Sequence, residues 1–397
     1  QKCAIVLKLV SGINVPELVA KIDGLLKTKI ENGTDEQSNL TFLHTEPHHD
    51  DIMLGYQPAL VRDLHDRRNQ HFFTTLTSGF TAVTNLCFSR RLNRAEKLLL
   101  SDDWNLALTA NDEVRMFISG LTSHNDALIG KMEANRFLNC LASVFNSKDK
   151  AVLVDRILEL KKYLEDSFPG KKDSKDVQLL KGMIREWEVE TLWGVFGVPE
   201  KQVSHLRLGF YQGDIFTEEP TLNRDIPPIL SLMKAVKADI LTVAMDPEAS
   251  GPDTHYKVLQ AIAETVRELG KIGLKLPTKI WGYRNVWYRF HPAEADLFVP
   301  VSYDELESMH HLFMKTFITQ KEASFPSHEH DGPFSELAIK IQREQFEKMR
   351  ICLGENWFQN HLNPRIRSCQ AMVYLREMTV DTFLGEAREI KKQTENK

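Results

Sequence analysis

The sequence predicts an open, mostly parallel α/β sheet flanked by helices. Three observations predict it. Short apolar strands recur, each bounded by turn residues; helical-period segments separate them; and the most polar cluster follows directly on the end of a strand. The chain has 397 residues, of which 42% are hydrophobic, enough for a sizeable core.

In chain order, Asn14 to Lys29 has apolar residues at helical spacing, with Leu18, Ile22, Leu25 and Leu26 as the expected buried stripe. Leu40 to His44 is the first strand. The polar cluster TEPHHDD follows, with Pro47 marking where the chain leaves the strand. Ile52 to His65 continues as a helix that Pro58 starts or kinks, and His71 to Leu76 is a second strand closed by Thr77–Ser78–Gly79. From Asn85 to about Asp166 the chain is helical and charged, with its strongest pattern at Val152, Ile157, Leu160 and Leu164. Pro169 to Asp176 is a loop, and a further helix runs from Val177 towards Trp193 with Trp187 and Leu192 in the core. Strands follow at Val203 to Phe210 and Ile240 to Ala244, with helical character at Ile226 to Val236 between them. Thr254 to Leu269 is a helix closed by Gly270. Strands near Thr278 to Tyr288 and Asp296 to Val299 finish the sheet, and the chain after Tyr303 is mainly helical apart from a loop at Pro326 to Gly332.

Composition narrows the function. Net charge is −5 with both signs mixed, which argues against a nucleic-acid partner. The longest apolar stretches, such as Ala4 to Val10, fall far short of a membrane span. Five scattered cysteines without a CxxC pair argue against an iron–sulfur site or a disulfide scaffold and for a reducing, cytoplasmic setting. The start QKCAIVLKLVSG lacks a Met and a cleavage pattern, so it reads as the edge of a processed or longer chain.

Chemistry concentrates at His48, Asp50 and Asp51. In an open α/β sheet, reactive groups collect beyond the carboxyl ends of strands, which is where these residues fall. His255, at the start of a helix after the strand ending near Met245, is the best distant partner. Two histidines and a carboxylate with an open position suit catalytic Zn2+, with Fe2+ or Co2+ as alternatives. The remaining aspartate is then free to take a proton from the bound water. Spacing alone does not choose between the two aspartates, and His49 competes with His48 as a ligand or supports it from behind.

The segment LHTEPHHDD, Leu43 to Asp51, resembles the HPDDE opening of the PIG-L/LmbE family of zinc-dependent N-deacetylases. GPDTHYKVLQAI at Gly251 to Ile262, TLTSG at Thr75 to Gly79, REWEVETLWGVFGV at Arg185 to Val198, DLFVPVS at Asp296 to Ser302 and FITQK at Phe317 to Lys321 resemble further family segments in the same order. The resemblance implies a Rossmann-like core over 40–325, interrupted by a helical insertion at 92–182, with a helical segment and linker at 1–39 and a mainly helical extension at 326–397. It implies His48, Asp51 and His255 as metal ligands and Asp50 as the general base. The implied substrate is a small N-acetylated amino sugar or glycoconjugate of the N-acetylglucosamine type. This chain has His49 where the family commonly has Pro, Ile52 where it has Glu, and Pro252 where many relatives carry a histidine that stabilises the reacting oxygen. The chain also resembles the C-terminal portion of bacterial proteins fused to a glucosamine-6-phosphate deaminase-like domain, which implies such an upstream domain. A homo-oligomer is compatible with the sequence. The alternatives are a carbohydrate-binding or regulatory domain with impaired catalysis, and a metal hydrolase of another amide or ester.

Other residues offer weaker signals. Arg185 and Glu188 share a helical face and read as a structural ion pair. Tyr211, Tyr283, Arg284 and Trp287 are candidates to line a sugar pocket. His310 and His311 lie in a helix, and His328 and His330 in a loop that reads as solvated.

Overall fold

The computed structural model describes residues 14–101, 103–168, 171–213, 217–247, 253–286, 288–321 and 330–395. The expectations placed on Ala4 to Val10, Pro169, Gly170, Pro252, Trp287 and His328 fall outside the described residues.

Among the described residues seven strands form one sheet: β1 (Thr41–Glu46), β2 (Gln70–Thr75), β3 (Val203–His205), β4 (Ile240–Ala244), β5 (Lys279–Tyr283), β6 (Leu297–Val301) and β7 (Ala371–Met378). Their spatial order is β3-β2-β1-β4-β5-β7-β6. The pairings β1–β2, β1–β4, β2–β3 and β4–β5 are parallel, while β7 runs antiparallel to both β5 and β6. Strand order therefore reverses between β1 and β4, whose register pairs Phe42 with Ile240 and His44 with Thr242. Such a switch point opens a crevice beyond the carboxyl ends of the two strands.

Helices cover both faces, as the near-continuous apolar runs of parallel strands require. Leu43, Leu241, Val243 and Ile280 pack with Leu259, Ile262 and Val266 of the helix Thr254–Lys271 on one side. Phe42, Phe73, Ile240 and Trp281 meet Ile52, Leu60 and Trp193 on the other. Phe73 stacks on Trp193 with ring centroids 3.8 Å apart.

Seen in chain order, α1 (Val15–Asn32) precedes β1 and α2 (Asp51–Leu64) follows it. Pro58 lies inside α2, and the helix kinks at Tyr56, where φ is −156°. The expected stripe on α1 is corrected in part: Leu26 packs on the core and Leu18 is half-buried, but Ile22 is 46% and Leu25 53% exposed, and Ile30 is the buried residue. The reason is that α1 docks by its last turns. Lys29 donates to the carbonyls of Pro292 (2.9 Å) and Ala295 (2.6 Å), and Gly33 lies so close to the Phe298 carbonyl that no Cβ would fit.

Among the described residues five helices, α3 (Asn85–Leu100), α4 (Ala110–Thr122), α5 (Asp126–Val144), α6 (Lys150–Glu165) and α7 (Lys175–Val195), form the insertion between β2 and β3. They have their own core, including Phe88, Leu92, Leu138, Leu141, Leu153 and Ile157. Val152 is exposed and Leu153 takes its expected place. Helix α7 belongs to both bodies: Val177, Leu180 and Ile184 sit in the insertion core, Val189, Leu192 and Trp193 against the sheet. It thereby carries Arg185 to the junction between them.

Later elements are α8 (Ile226–Val236), α9 (Thr254–Lys271), α10 (Tyr303–Thr316), α11 (Phe334–Leu353), the short α12 (Glu355–Gln359) and α13 (Pro364–Arg367), and α14 (Val380–Glu395). Gly270 is inside α9, and Gly273 at φ +68° takes the left-handed position past its end. The strand read at Val203 to Phe210 ends at His205. The late helical region contains β7, which closes the gap between β5 and β6 and was absent from the sequence reading.

His44 points into the core, not towards the polar loop. Its ring joins a buried chain in which Tyr56 Oη lies 2.8 Å from His44 Nδ1, and His44 Nε2 lies 3.0 Å from His71 Nδ1. The far end fixes the direction: His71 Nε2 is 3.0 Å from the Asp63 carbonyl and must donate to it. His71 Nδ1 then accepts from His44, and His44 accepts from Tyr56. Burial holds His44 well below its ordinary pKa and lowers His71 from 6.5 to about 4. Above pH 6.5 His71 is neutral in both folded and unfolded chains and stability is insensitive to it. As pH falls from 6.5 towards 4, the unfolded chain binds a proton that the fold refuses, so stability falls by about 1.4 kcal/mol per unit. His71→Gln keeps a donor for Asp63 and an acceptor for His44. Denaturant unfolding of the metal-free protein at pH 7 and pH 4.5 is expected to show the variant gaining about 2 kcal/mol relative to wild type. An unchanged difference refutes this role for His71.

Candidate metal centre

The loop between β1 and α2 is shaped by local bonds. Thr77, in the turn after β2, donates to the Pro47 carbonyl through both its backbone N–H (3.2 Å) and its hydroxyl (2.7 Å), so the TLTSG turn buttresses the exit from β1. The His48 N–H donates to Asp51 Oδ2 at 2.7 Å, bending the loop back on the first residue of α2. Glu46, buried at the end of β1, accepts from the Thr75 hydroxyl at 2.8 Å and from the Ile52 N–H at 3.2 Å.

Adjacent histidines on this loop face opposite ways. His48 turns towards α9, its Nδ1 lying 3.0 Å from His255 Nε2. His49 is buried on the other side, 5.9 Å from the His205 ring, and a Cβ at Gly79 (φ +56°) would strike its Nδ1 at 2.8 Å. A glycine is therefore required there on two counts.

His255 opens α9 beside the end of β4, across the switch point from β1. Its Nε2 lies 3.3 Å from Asp51 Oδ2, and His48 Nδ1 lies 3.7 Å from the same oxygen. One donor atom from each of His48, Asp51 and His255 falls within 4.8 Å of the others, a set able to hold a metal ion. Asp246, fully buried just past β4, accepts from His255 Nδ1 at 2.8 Å. That bond fixes a proton on Nδ1 and aims Nε2, the nitrogen left for a metal, towards Asp51 and His48. Asn285, after β5, ties the two acids together: its N–H donates to Asp246 Oδ1 at 3.1 Å and its amide to Asp51 Oδ1.

The electrostatics favour a cation. Burial raises the Asp51 carboxyl above the ordinary range, against the pull of His255, and Asp50 raises it further. Burial opposes charge on His255, yet Asp51 and Asp246 outweigh it and raise its pKa. For His48 burial dominates, and with His255 and Arg185 nearby its pKa falls well below 6.5. A divalent ion replaces the shared proton of such a pocket while keeping neutral imidazole nitrogens as donors.

Asp50 stands beside this set, 9% exposed, with its Oδ2 3.4 Å from Arg185 Nη2. Arg185 is itself buried, bound through Nη1 to Glu188 (2.6 Å) and the Thr319 hydroxyl (2.8 Å). The helical ion pair read from the sequence is present, and its guanidinium also reaches the acid at the loop.

Of the other candidates, Tyr211 lies next to His48, ring centroids 6.1 Å apart. Tyr283 is a core residue whose hydroxyl donates to the Thr45 carbonyl at 2.9 Å. Arg284 lies over the Phe290 ring at 4.4 Å. His310 bonds Ser335 (2.9 Å), His311 is exposed, and His330 bonds the Pro333 carbonyl (3.2 Å). Asp246, Asn285 and Glu46 were not singled out from the sequence. For Asp246 a signal existed, since it follows β4 as the HHDD cluster follows β1; Asn285 and Glu46 had none. Asp246→Ala is expected to weaken metal binding by about 10–100-fold, measured by chelator competition. Unchanged affinity removes Asp246 from the site.

Fold and site together define the class: a largely parallel α/β protein with a buried His/Asp/His cluster capable of coordinating a metal ion, consistent with a metal-dependent hydrolase in general. No protein-family model matches the chain. It is 29% identical over 210 residues to a glucosamine-6-phosphate deaminase-like protein of Bacteroides thetaiotaomicron, a match covering 51% of this chain and 31% of that protein. The chain thus matches under a third of that relative's length. Among solved structures it overlaps N,N'-diacetylchitobiose deacetylase from Pyrococcus horikoshii, with 13% identity, a TM-score of 0.44, and coverage of 93% of this chain and 95% of that one. It also overlaps GalB, the 4-carboxy-2-hydroxymuconate hydratase of Pseudomonas putida KT2440, with 10% identity, a TM-score of 0.40, and coverage of 85% and 96%. Overlaps at this level carry no argument about activity.

Proposed function

We propose that this chain is a metal-dependent N-deacetylase acting on an N-acetylglucosamine-type substrate. The observation that carries the proposal is the meeting of His48, Asp51 and His255 at the switch point with Asp50 alongside. The order of family-like segments and the amino-sugar name of the Bacteroides relative favour this substrate class. Zn2+ is the preferred metal, with Fe2+ or Co2+ next, because two imidazoles and one carboxylate leave a position open.

His48 Nδ1, Asp51 Oδ2 and His255 Nε2 would hold the ion, which supplies Lewis acidity towards the carbonyl and makes water ionisable near neutral pH. Asp50 takes the proton as the water oxygen adds to the amide carbon. Arg185 aims Asp50 through their 3.4 Å contact and in turn is held by Glu188 and Thr319. When the C–N bond breaks, the proton on Asp50 passes to the amine nitrogen, leaving acetate and a free amino sugar.

The test is acetate and amine release from a panel of N-acetylglucosamine derivatives, phosphorylated and not, by chelated protein and by protein reloaded with Zn2+, Co2+ or Fe2+. Equal acetate and amine, dependent on metal, is the expected result. Metal-loaded protein that binds these sugars without releasing acetate overturns the proposal in favour of a binding or regulatory domain.

A further inference from the structure

Hydrolysis of an amide places negative charge on the carbonyl oxygen, and sites that perform it aim hydrogen-bond donors at that oxygen. Among the described residues around the cluster, most donors are committed. The Asn285 amide and the His48 N–H are spent on Asp51. Arg185 spends Nη1 on Glu188 and Thr319 and holds Nη2 3.4 Å from Asp50, with its buried Nε–H left without a partner. Tyr211 differs: its hydroxyl meets a second hydroxyl, Thr81 Oγ1, at 2.6 Å, and either group can donate. Thr81 can therefore take the acceptor's or the donor's part, and the phenol proton is free to turn to a ligand without stranding its partner.

The placement is firm. Leu206 and Leu208 continue the pairing beyond β3 by donating to the Thr75 and Leu76 carbonyls at 2.9 and 2.8 Å. Phe210 is fully buried, and its N–H donates to Asp225 Oδ1 at 3.1 Å. Tyr211 follows directly, its ring edge-on to His48 and to Phe80, 5.6 Å away. Burial holds the phenol above its ordinary pKa of 10, so it is a donor throughout the neutral range.

We propose that Tyr211 is a catalytic residue that donates a hydrogen bond to the substrate's carbonyl oxygen as that oxygen gains negative charge. As water adds to the carbon, the π pair moves onto this oxygen and the Tyr211 O–H turns from Thr81 to meet it. As the C–N bond breaks, the pair returns to re-form the carbonyl. The phenol proton stays on Tyr211 throughout. This inference rests on the deacetylase reading.

The experiment compares wild type, Tyr211→Phe and Thr81→Val. Tyr211→Phe is expected to lower kcat by about 100-fold with KM and bound zinc nearly unchanged. It should weaken binding of a methylphosphonamide analogue, tetrahedral and anionic at the reacting oxygen, by about the same factor, while binding of the free amine product holds. Thr81→Val, which removes only the resting partner, should keep most of kcat. Wild-type kcat or analogue affinity in Tyr211→Phe overturns the inference and leaves the deacetylase reading standing. An equal loss in Thr81→Val, or a change confined to KM, overturns it too by making the pair structural. Absence of acetate release from wild type defeats the underlying reading instead.

Discussion

His255→Ala is expected to abolish stoichiometric zinc binding and to lower metal-dependent acetate release by more than about 1,000-fold, since the metal and its activated water are lost together. His255 comes from the far side of the switch point. His48 and Asp51 share one loop, so without His255 only two neighbouring donors remain, and two are too few for a closed zinc site. The change also leaves Asp246 buried with one of its two partners gone. Some thermal destabilisation is therefore expected, and metal analysis on folded protein separates it from loss of the site. One zinc per chain in folded His255→Ala, with acetate release intact, removes His255 from the reaction.

Asp50→Asn tests the other half of the assignment. The amide keeps the shape but accepts no proton from water. It is expected to lower kcat by about 100- to 10,000-fold, the usual worth of a positioned general base, while zinc stoichiometry holds. Asp50 contributes none of the three convergent donor atoms, so metal content is the discriminating reading. Loss of zinc in Asp50→Asn makes the residue a ligand and reverses its assignment with Asp51. Arg185 sharpens the contrast: its guanidinium loses a carboxylate partner yet keeps Glu188 and Thr319, so the helix junction should survive.

Much of the fold was legible because its signals are local. Ile240 to Ala244 and Ile226 to Val236 were read at their observed bounds, since strand and helix periods declare themselves within a few residues. The late strand β7 was missed because it sits among helices and pairs with strands about 70 and 95 positions away. The stripe on α1 was misread for a related reason: periodicity marks an apolar face, but only the docking partner decides which turns of it are covered.

The sequence by itself determined the chemistry on offer at one end of the sheet: histidines and aspartates in the exit loop of the first strand, with Pro47 ending that strand and Asp51 opening the helix. Those are nearest-neighbour matters of backbone preference and side-chain type. Only the tertiary structure decided the rest. It turned His48 towards α9 and buried His49 against Gly79 and His205, and it brought His255 across 207 positions to His48. It also set Asp246 and Asn285 behind the donors and Arg185 beside Asp50. The physical reason is that the parallel pairing of β1 with β4 makes neighbours of two strand exits; strand-end reasoning names His255 as the distant partner, but only that pairing sets its distance from His48 and Asp51.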